Sequence, residues 1–259
     1  MSTGDARSTL RSEFERAAAG FDERTRGRFD NLGVVEFAQL SGGETVAEIG
    51  AGTGNFLSLF QVRASRLVAV DLVPGMLVHA RERLPAADVV VADGASLPLR
   101  SGSVDLVASA QALHHVRHPL PVVAEMRRVA GRAGRVLVVD QAATEHFEEA
   151  VAMTELELVR DPSHAASRPP SAFRIMFQAA GLRIVDERVV EDERRLSKWM
   201  WPGEFPPERI DAVRTFIEAR GHETGMDFER DGDDWVFTRR RMMILAEDAR
   251  NDADSSGRI

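Results

Sequence analysis

Between residues 45 and 140 the chain alternates short apolar runs with stretches in which apolar residues recur every three or four positions. The runs at 45–50, 66–71, 88–92, 104–109 and 135–139 have the length and composition of strands buried on both faces. Helical patterns fall near 54–63, 74–84 and 119–130. Pro74 suits the first turn of its helix, where a missing N–H costs little. This alternation predicts a doubly wound parallel sheet that binds its ligand at the strand C-termini.

Outside that block the pattern changes. Residues 1 to about 10 are small and polar and read as a loose end. Phe14, Ala17, Ala18 and Phe21, then Val34, Val35, Phe37 and Leu40, are spaced for helices, which Ser41-Gly42-Gly43 stops. After Asp140 a helix is expected over 143–160, then a polar loop through His164, then a proline-opened helix ended by Gly181. Leu182 to Val190 reads as a strand with a polar flank to Arg195, Pro206-Pro207 opens another helix, and Trp235 to Leu245 reads as the last strand. The expected organisation is N-terminal helices over 1–40 and one α/β domain over 41–246, followed by a charged, disordered tail over 247–259. The α/β domain carries insertions at about 141–175 and 191–232.

Composition narrows the function. With 259 residues the chain can bury a real core, and a net charge of −8 disfavours a nucleic-acid partner. The absence of cysteine excludes disulfides, thiolate nucleophiles and Cys-rich zinc sites, and no metal is expected. No signal peptide or membrane-length apolar run is legible, so a cytoplasmic enzyme is expected, away from membranes.

The chemistry is concentrated at Glu48-Ile49-Gly50-Ala51-Gly52-Thr53-Gly54, where the first strand breaks into alternate glycines. Such a turn lets backbone approach a ligand closely. Asp71 ends the second run and Asp93 closes the third, so three successive strand ends carry acids. A dinucleotide turn needs G-x-G-x-x-G; here the third glycine comes one residue early and Asn55 takes its place.

These residues resemble the class I S-adenosylmethionine-dependent methyltransferases, most closely the UbiE-like, methyltransferase-11 type. The series continues in Asp71-Leu72-Val73-Pro74-Gly75-Met76, Asp93-Gly94, Leu97-Pro98-Leu99, Val104-Asp105-Leu106-Val107, Leu113-His114-His115-Val116 and Glu125-Met126-Arg127-Arg128-Val129. The likeness covers about residues 40 to 190 well and the remainder loosely. Val129-Ala-Gly-Arg-Ala-Gly134 departs from the family's usual Pro-Gly-Gly turn, away from the cofactor. The resemblance implies a Rossmann-like seven-stranded sheet of order 3-2-1-4-5-7-6 with the last strand antiparallel, beneath a helical substrate cap. It implies that Asp71 holds the ribose, Asp93 the adenine amino group, Glu48 the ammonium, and Leu72 and Met76 the adenine faces. Gly50, Gly52 and Gly54 would shape the turn, and Ala51, Gly94, Ala95 and Ala110 complete the cofactor set. The N-terminal helices, with Phe21-Asp22 resembling the family's aromatic-Asp pair in a chain without tyrosine, would cover it, or else simply pack on the domain. S-adenosylhomocysteine would be the product.

For catalysis, His114 and His115 follow strand four and Asp140 ends strand five, its neighbour in the implied order. They suit a histidine base oriented by a carboxylate, or else a packed ring and a helix cap. His164 on the cap loop is a further candidate. Met153, Met176, Phe177, Trp199, Met200, Trp201 and Phe205 either line an apolar pocket or pack the cap. The expected reaction is methyl transfer to a small-molecule acceptor such as a quinone, polyketide or other secondary metabolite, by a monomer or homodimer. The competing reading is a protein of the same fold that binds the cofactor without transferring methyl. A base-flipping enzyme is disfavoured because Ala108 to Leu113 lacks an Asn/Asp-Pro-Pro-aromatic motif.

Overall fold

A computed structural model describes residues 3–25, 27–200 and 205–251. Trp201, the tail beyond residue 251, and the side chains of Ala17, Ala18 and Asp22 lie outside the described residues. Eight strands form one sheet: β1 (Thr45–Ile49), β2 (Arg66–Asp71), β3 (Asp88–Val91), β4 (Leu106–Ala110), β5 (Arg135–Ala142), β6 (Leu182–Arg195), β7 (Glu229–Asp231) and β8 (Asp234–Asp248). Their order is β3-β2-β1-β4-β5-β8-β6, with β7 paired to β8. The first five are parallel, and β8 runs antiparallel to both β5 and β6. With the three-residue β7 set aside, this is the expected 3-2-1-4-5-7-6 arrangement.

The helices are α1 (Thr3–Thr25), α2 (Val34–Phe37), α3 (Pro74–Arg83), α4 (Leu120–Ala130), α5 (Phe147–Arg160), α6 (Pro170–Ala179), α7 (Leu196–Trp199) and α8 (Pro207–Arg220). One core lies under α4 and α6, where Met126, Phe173 and Phe177 meet Val107 and Val136. The other face packs α2 and α3 with Phe37, Phe56, Phe60 and Leu77 against Val46 and Leu106. Proline opens α3, α4, α6 and α8, where the ring's fixed φ favours a first turn. The long β6–β8 ribbon carries α5, α7 and α8 in a third apolar cluster that forms the cap.

Four local expectations are corrected. The helix expected over 54–63 is only a tight 3-10 turn, Leu57–Phe60. The Leu57 amide is taken by the Glu48 carboxylate, and the glycines occupy the chain to residue 54. The loose N-terminus is helical from Thr3, with no proline to interrupt it. β3 is an edge strand rather than a doubly buried one, which leaves Val91 exposed. β8 reaches Asp248, inside the expected tail, because that buried carboxylate accepts from Arg127 and Arg250.

Candidate active site

The C-terminal ends of β1, β2 and β4 and the loop after β3 enclose a cavity of about 260 Å³, roofed by Leu10, Phe14 and Phe21 of α1. Glu48, Gly50, Ala51, Gly52, Asp71, Leu72, Met76, Asp93, Gly94, Ala95 and Ala110 all line it. Gly54 does not. A Cβ there would press on Leu84 and Ala80 of the α3 segment at 3.3 and 3.4 Å, so Gly54 serves close packing beneath the turn.

The acids are built into the backbone. Asp71 accepts the Gly52 N–H at 2.7 Å and the Val73 N–H at 2.8 Å, tying the glycine turn to the end of β2. Burial nevertheless raises its pKa above the ordinary carboxylate value. Glu48 is 1% exposed and accepts the Leu57 N–H at 2.9 Å; burial raises its pKa strongly, and Asp71 adds to the shift. Asp93 accepts the Ala95 N–H at 2.9 Å. Two buried carboxylates with raised pKa values favour a ligand that brings donors or positive charge. A Cβ on Gly52 would point towards Phe21, 4.0 Å away across the cavity, so the bare glycine leaves space there.

Beyond this cavity the two adjacent histidines diverge. His114 is buried, and its Nδ1 donates to Asp140 Oδ1 at 2.5 Å while its backbone N–H donates to Asp140 Oδ2 at 3.1 Å. Burial, aided by His115 and His164, drives its pKa well below the usual imidazole value. Asp140 is raised by its own burial. His115 instead lines the cavity and stacks edge-on with Phe14, ring centroids 5.0 Å apart. Its Nδ1 lies 3.2 Å from the Ser163 carbonyl and 3.0 Å from Ser163 Oγ, which donates to Asp161 at 2.6 Å. A carbonyl only accepts, so His115 Nδ1 carries the proton and Nε2 is the basic nitrogen. The expected pairing of Asp140 with a histidine is found at His114; His115 is oriented from the cap loop. His164, also near them, is buried, and burial depresses its pKa to about 4.

A second cavity of about 620 Å³ adjoins the first, and Phe14, Phe21, Thr25, Arg28, Gln111 and His115 line both. Trp199 and Phe205 line it as expected of a cap, but Met153, Met200, Met176 and Phe177 are buried in apolar clusters. Its walls are basic as well as apolar: Arg160, Arg194, Lys198, Arg239 and Arg241 join Arg28 there. This was missed in the sequence, although Thr238-Arg239-Arg240-Arg241 interrupts an otherwise apolar strand. Strand alternation sends Arg239 and Arg241 to one face and Arg240 to the other, where it meets Glu191 and Asp227. Gln111, at φ 52° just beyond β4, was also missed; its Oε1 accepts from Arg28 at 3.2 Å and Arg239 at 2.7 Å.

Comparison with known proteins agrees with this geometry. Residues 47–138 match the family described as methyltransferase domain, Methyltransf_11. An uncharacterised methyltransferase of Bacillus subtilis, YcgJ, is 26% identical over 78% of this chain and 82% of its own length. A demethylmenaquinone methyltransferase of Renibacterium salmoninarum is 27% identical over 64% of this chain and 68% of its own. The crystal structure of the Bacillus subtilis YcgJ protein shares the fold, with a TM-score of 0.72 at 22% identity over 83% of this chain and 95% of that one. Over residues 47–138 the chain carries a domain that matches the methyltransferase-11 type, and over most of its length it is similar to methyltransferases.

Proposed function

We propose that the chain transfers a methyl group from S-adenosylmethionine to a small organic acceptor seated in the second cavity. The observation that carries this reading is the junction of the two cavities at His115, between an acid-lined glycine turn and the cap. The cofactor supplies an electrophilic methyl group on a sulfonium. Asp71 and Asp93 suit its ribose and adenine, Glu48 lies under its amino-acid end, and Leu72 and Met76 flank the ring. Gly50, Ala51, Gly52, Gly94, Ala95 and Ala110 give it room.

His115 is the base in this reading, since its Nδ1–H is fixed on Ser163 and its Nε2 can take the acceptor's proton. His114 and Asp140 then position the loop that carries His115. Phe14 and Phe21 of α1 cover the junction and help exclude water. Holding two reactants in line is worth about 7–11 kcal/mol in favourable systems.

Calorimetry with S-adenosylmethionine and S-adenosylhomocysteine, against nicotinamide dinucleotides, tests the cofactor assignment. Tight binding of the first two alone is expected. Binding of a dinucleotide in their place would overturn it. No helix among the described residues is long and apolar enough to cross a membrane, which fits a small acceptor delivered from solution.

A further inference from the structure

We propose that the methyl acceptor is an organic anion, its carboxylate or phosphate group held by the arginines of the second cavity and its apolar body lying on Trp199 and Phe205. This rests on the methyltransferase reading above and specifies its substrate class.

The charge balance of the cavity is opposite to that of the molecule. The chain carries −8 overall, yet eight cationic side chains and two carboxylates, Glu13 and Asp161, line this space. Glu13 is engaged by Arg16 at 2.6 Å and by Arg209 at 3.7 Å. Asp161 accepts from Ser163. Of the carboxylates in the wall behind, Glu157 pairs with Arg160 at 2.8 Å, and Asp192 serves both Arg194 and Arg241.

Arg239 has no carboxylate within ion-pair distance among the described residues; it donates to the neutral amide oxygens of Gln111 at 2.7 Å and Gln141 at 3.5 Å. Burial, with Arg241 nearby, pulls its pKa down to about 10. Keeping a charge there costs free energy that a bound anion would offset.

Donors are also left over. Gln111 Nε2 and Arg241 Nε are buried and have no hydrogen-bond partner among the described residues, in a fold that otherwise pairs such groups closely. Guanidinium groups match carboxylate and phosphate oxygens in charge and in planar, two-point geometry. The aromatic wall explains why the anion should be organic: Trp199 lies under the Arg160 guanidinium at 4.7 Å, and Phe205 faces the same space. A neutral quinone would leave Arg239 with only amide oxygens as partners.

The probes are benzoate and phenyl phosphate, which share a ring and differ in anionic group, with benzyl alcohol as the neutral control. Each is titrated calorimetrically into the full chain, with and without saturating S-adenosylhomocysteine. Saturable binding of at least one anion is expected, weakening with salt, and the tighter of the two identifies the acceptor's group. Arg239→Met should weaken it about ten- to a hundredfold, the equivalent of one charge-assisted hydrogen bond. Arg194→Met, on the neighbouring strand, should weaken it independently. Retained S-adenosylhomocysteine affinity shows that each variant is folded. The proposal is overturned if neither anion binds more tightly than benzyl alcohol, or if both variants bind like the parent. Failure of S-adenosylhomocysteine to bind the parent would strike the cofactor assignment instead, and the cofactor-free titration still decides the anion site.

Discussion

His114 and Asp140 form a buried pair, Nδ1 to Oδ1 at 2.5 Å, at the wall of the second cavity, while the next residue, His115, lines both cavities. Asp140 also accepts the His114 backbone N–H, so one carboxylate near the end of β5, two residues before Ala142, fixes the loop after β4. The Ala165 and Ala166 amides donate to the His114 carbonyl at 2.9 and 3.2 Å, which brings the cap loop onto the same residue. Ser163 thereby reaches His115.

His115→Gln should lower the single-turnover methyl-transfer rate by about two to four powers of ten, the usual scale of general-base assistance. S-adenosylhomocysteine affinity should stay near that of the parent. Ser163→Ala should lower the rate less, and the double variant should cost much less than the product of the two, since the residues act as one unit. Parent-like rates in all three, with acceptor saturating, would make proximity alone sufficient.

Asp71→Ala removes the acceptor of two backbone N–H groups as well as the proposed cofactor contact. Each charge-assisted bond is worth about 1.5–3 kcal/mol, so cofactor affinity should fall at least about tenfold. Calorimetric affinity equal to the parent's would remove Asp71 from the cofactor site.

Two glycines of the turn should fail differently. A Cβ on Gly50 would meet Ala112 Cβ at 2.6 Å, whereas one on Gly52 finds only Phe21 at 4.0 Å, across the cavity. Both residues sit at positive φ, which costs a non-glycine residue about 1–2 kcal/mol. Gly50→Ala should therefore lose the larger amount of stability. Gly52→Val should stay folded while losing S-adenosylhomocysteine. Thermal melts beside calorimetry separate the two; a folded Gly52→Val that binds like the parent would dissociate the turn from the cofactor.

Stability should carry a histidine signature at acid pH. Burial depresses His164 to about 4, while the unfolded chain takes up that proton near the usual value of about 6.5. The unfolded state then binds more protons in between. Its contribution is fully present above about pH 6.5 and is lost as the pH falls towards 4, by about 3 kcal/mol in all. The raised carboxyls of Glu48, Asp71 and Asp140 act in the opposite direction as the pH falls. The decisive reading is therefore the difference between parent and His164→Gln in denaturant midpoints at about pH 7.5 and 5. Parallel pH profiles would mean His164 is not buried in its neutral form.

The strands and the acid-lined cavity at their ends were legible in the sequence because both are local. Strand length, the break at Gly50, and an acid closing each run all follow from residues close together in the chain, and parallel pairing brings those ends to one side. The sequence even placed Asp140 beside a histidine, since β4 and β5 are neighbours. Which histidine it holds, which way each ring turns, and what Ser163 contributes depend on contacts across 26 and 48 residues. The basic cavity is the clearest case. Arg28 comes from the turn after α1, Arg160 from α5, Arg194 from β6 and Arg239 from β8, and each reads by itself as an ordinary solvated charge. Only the fold brings these four segments around one space, where partial shielding from water makes their charge matter.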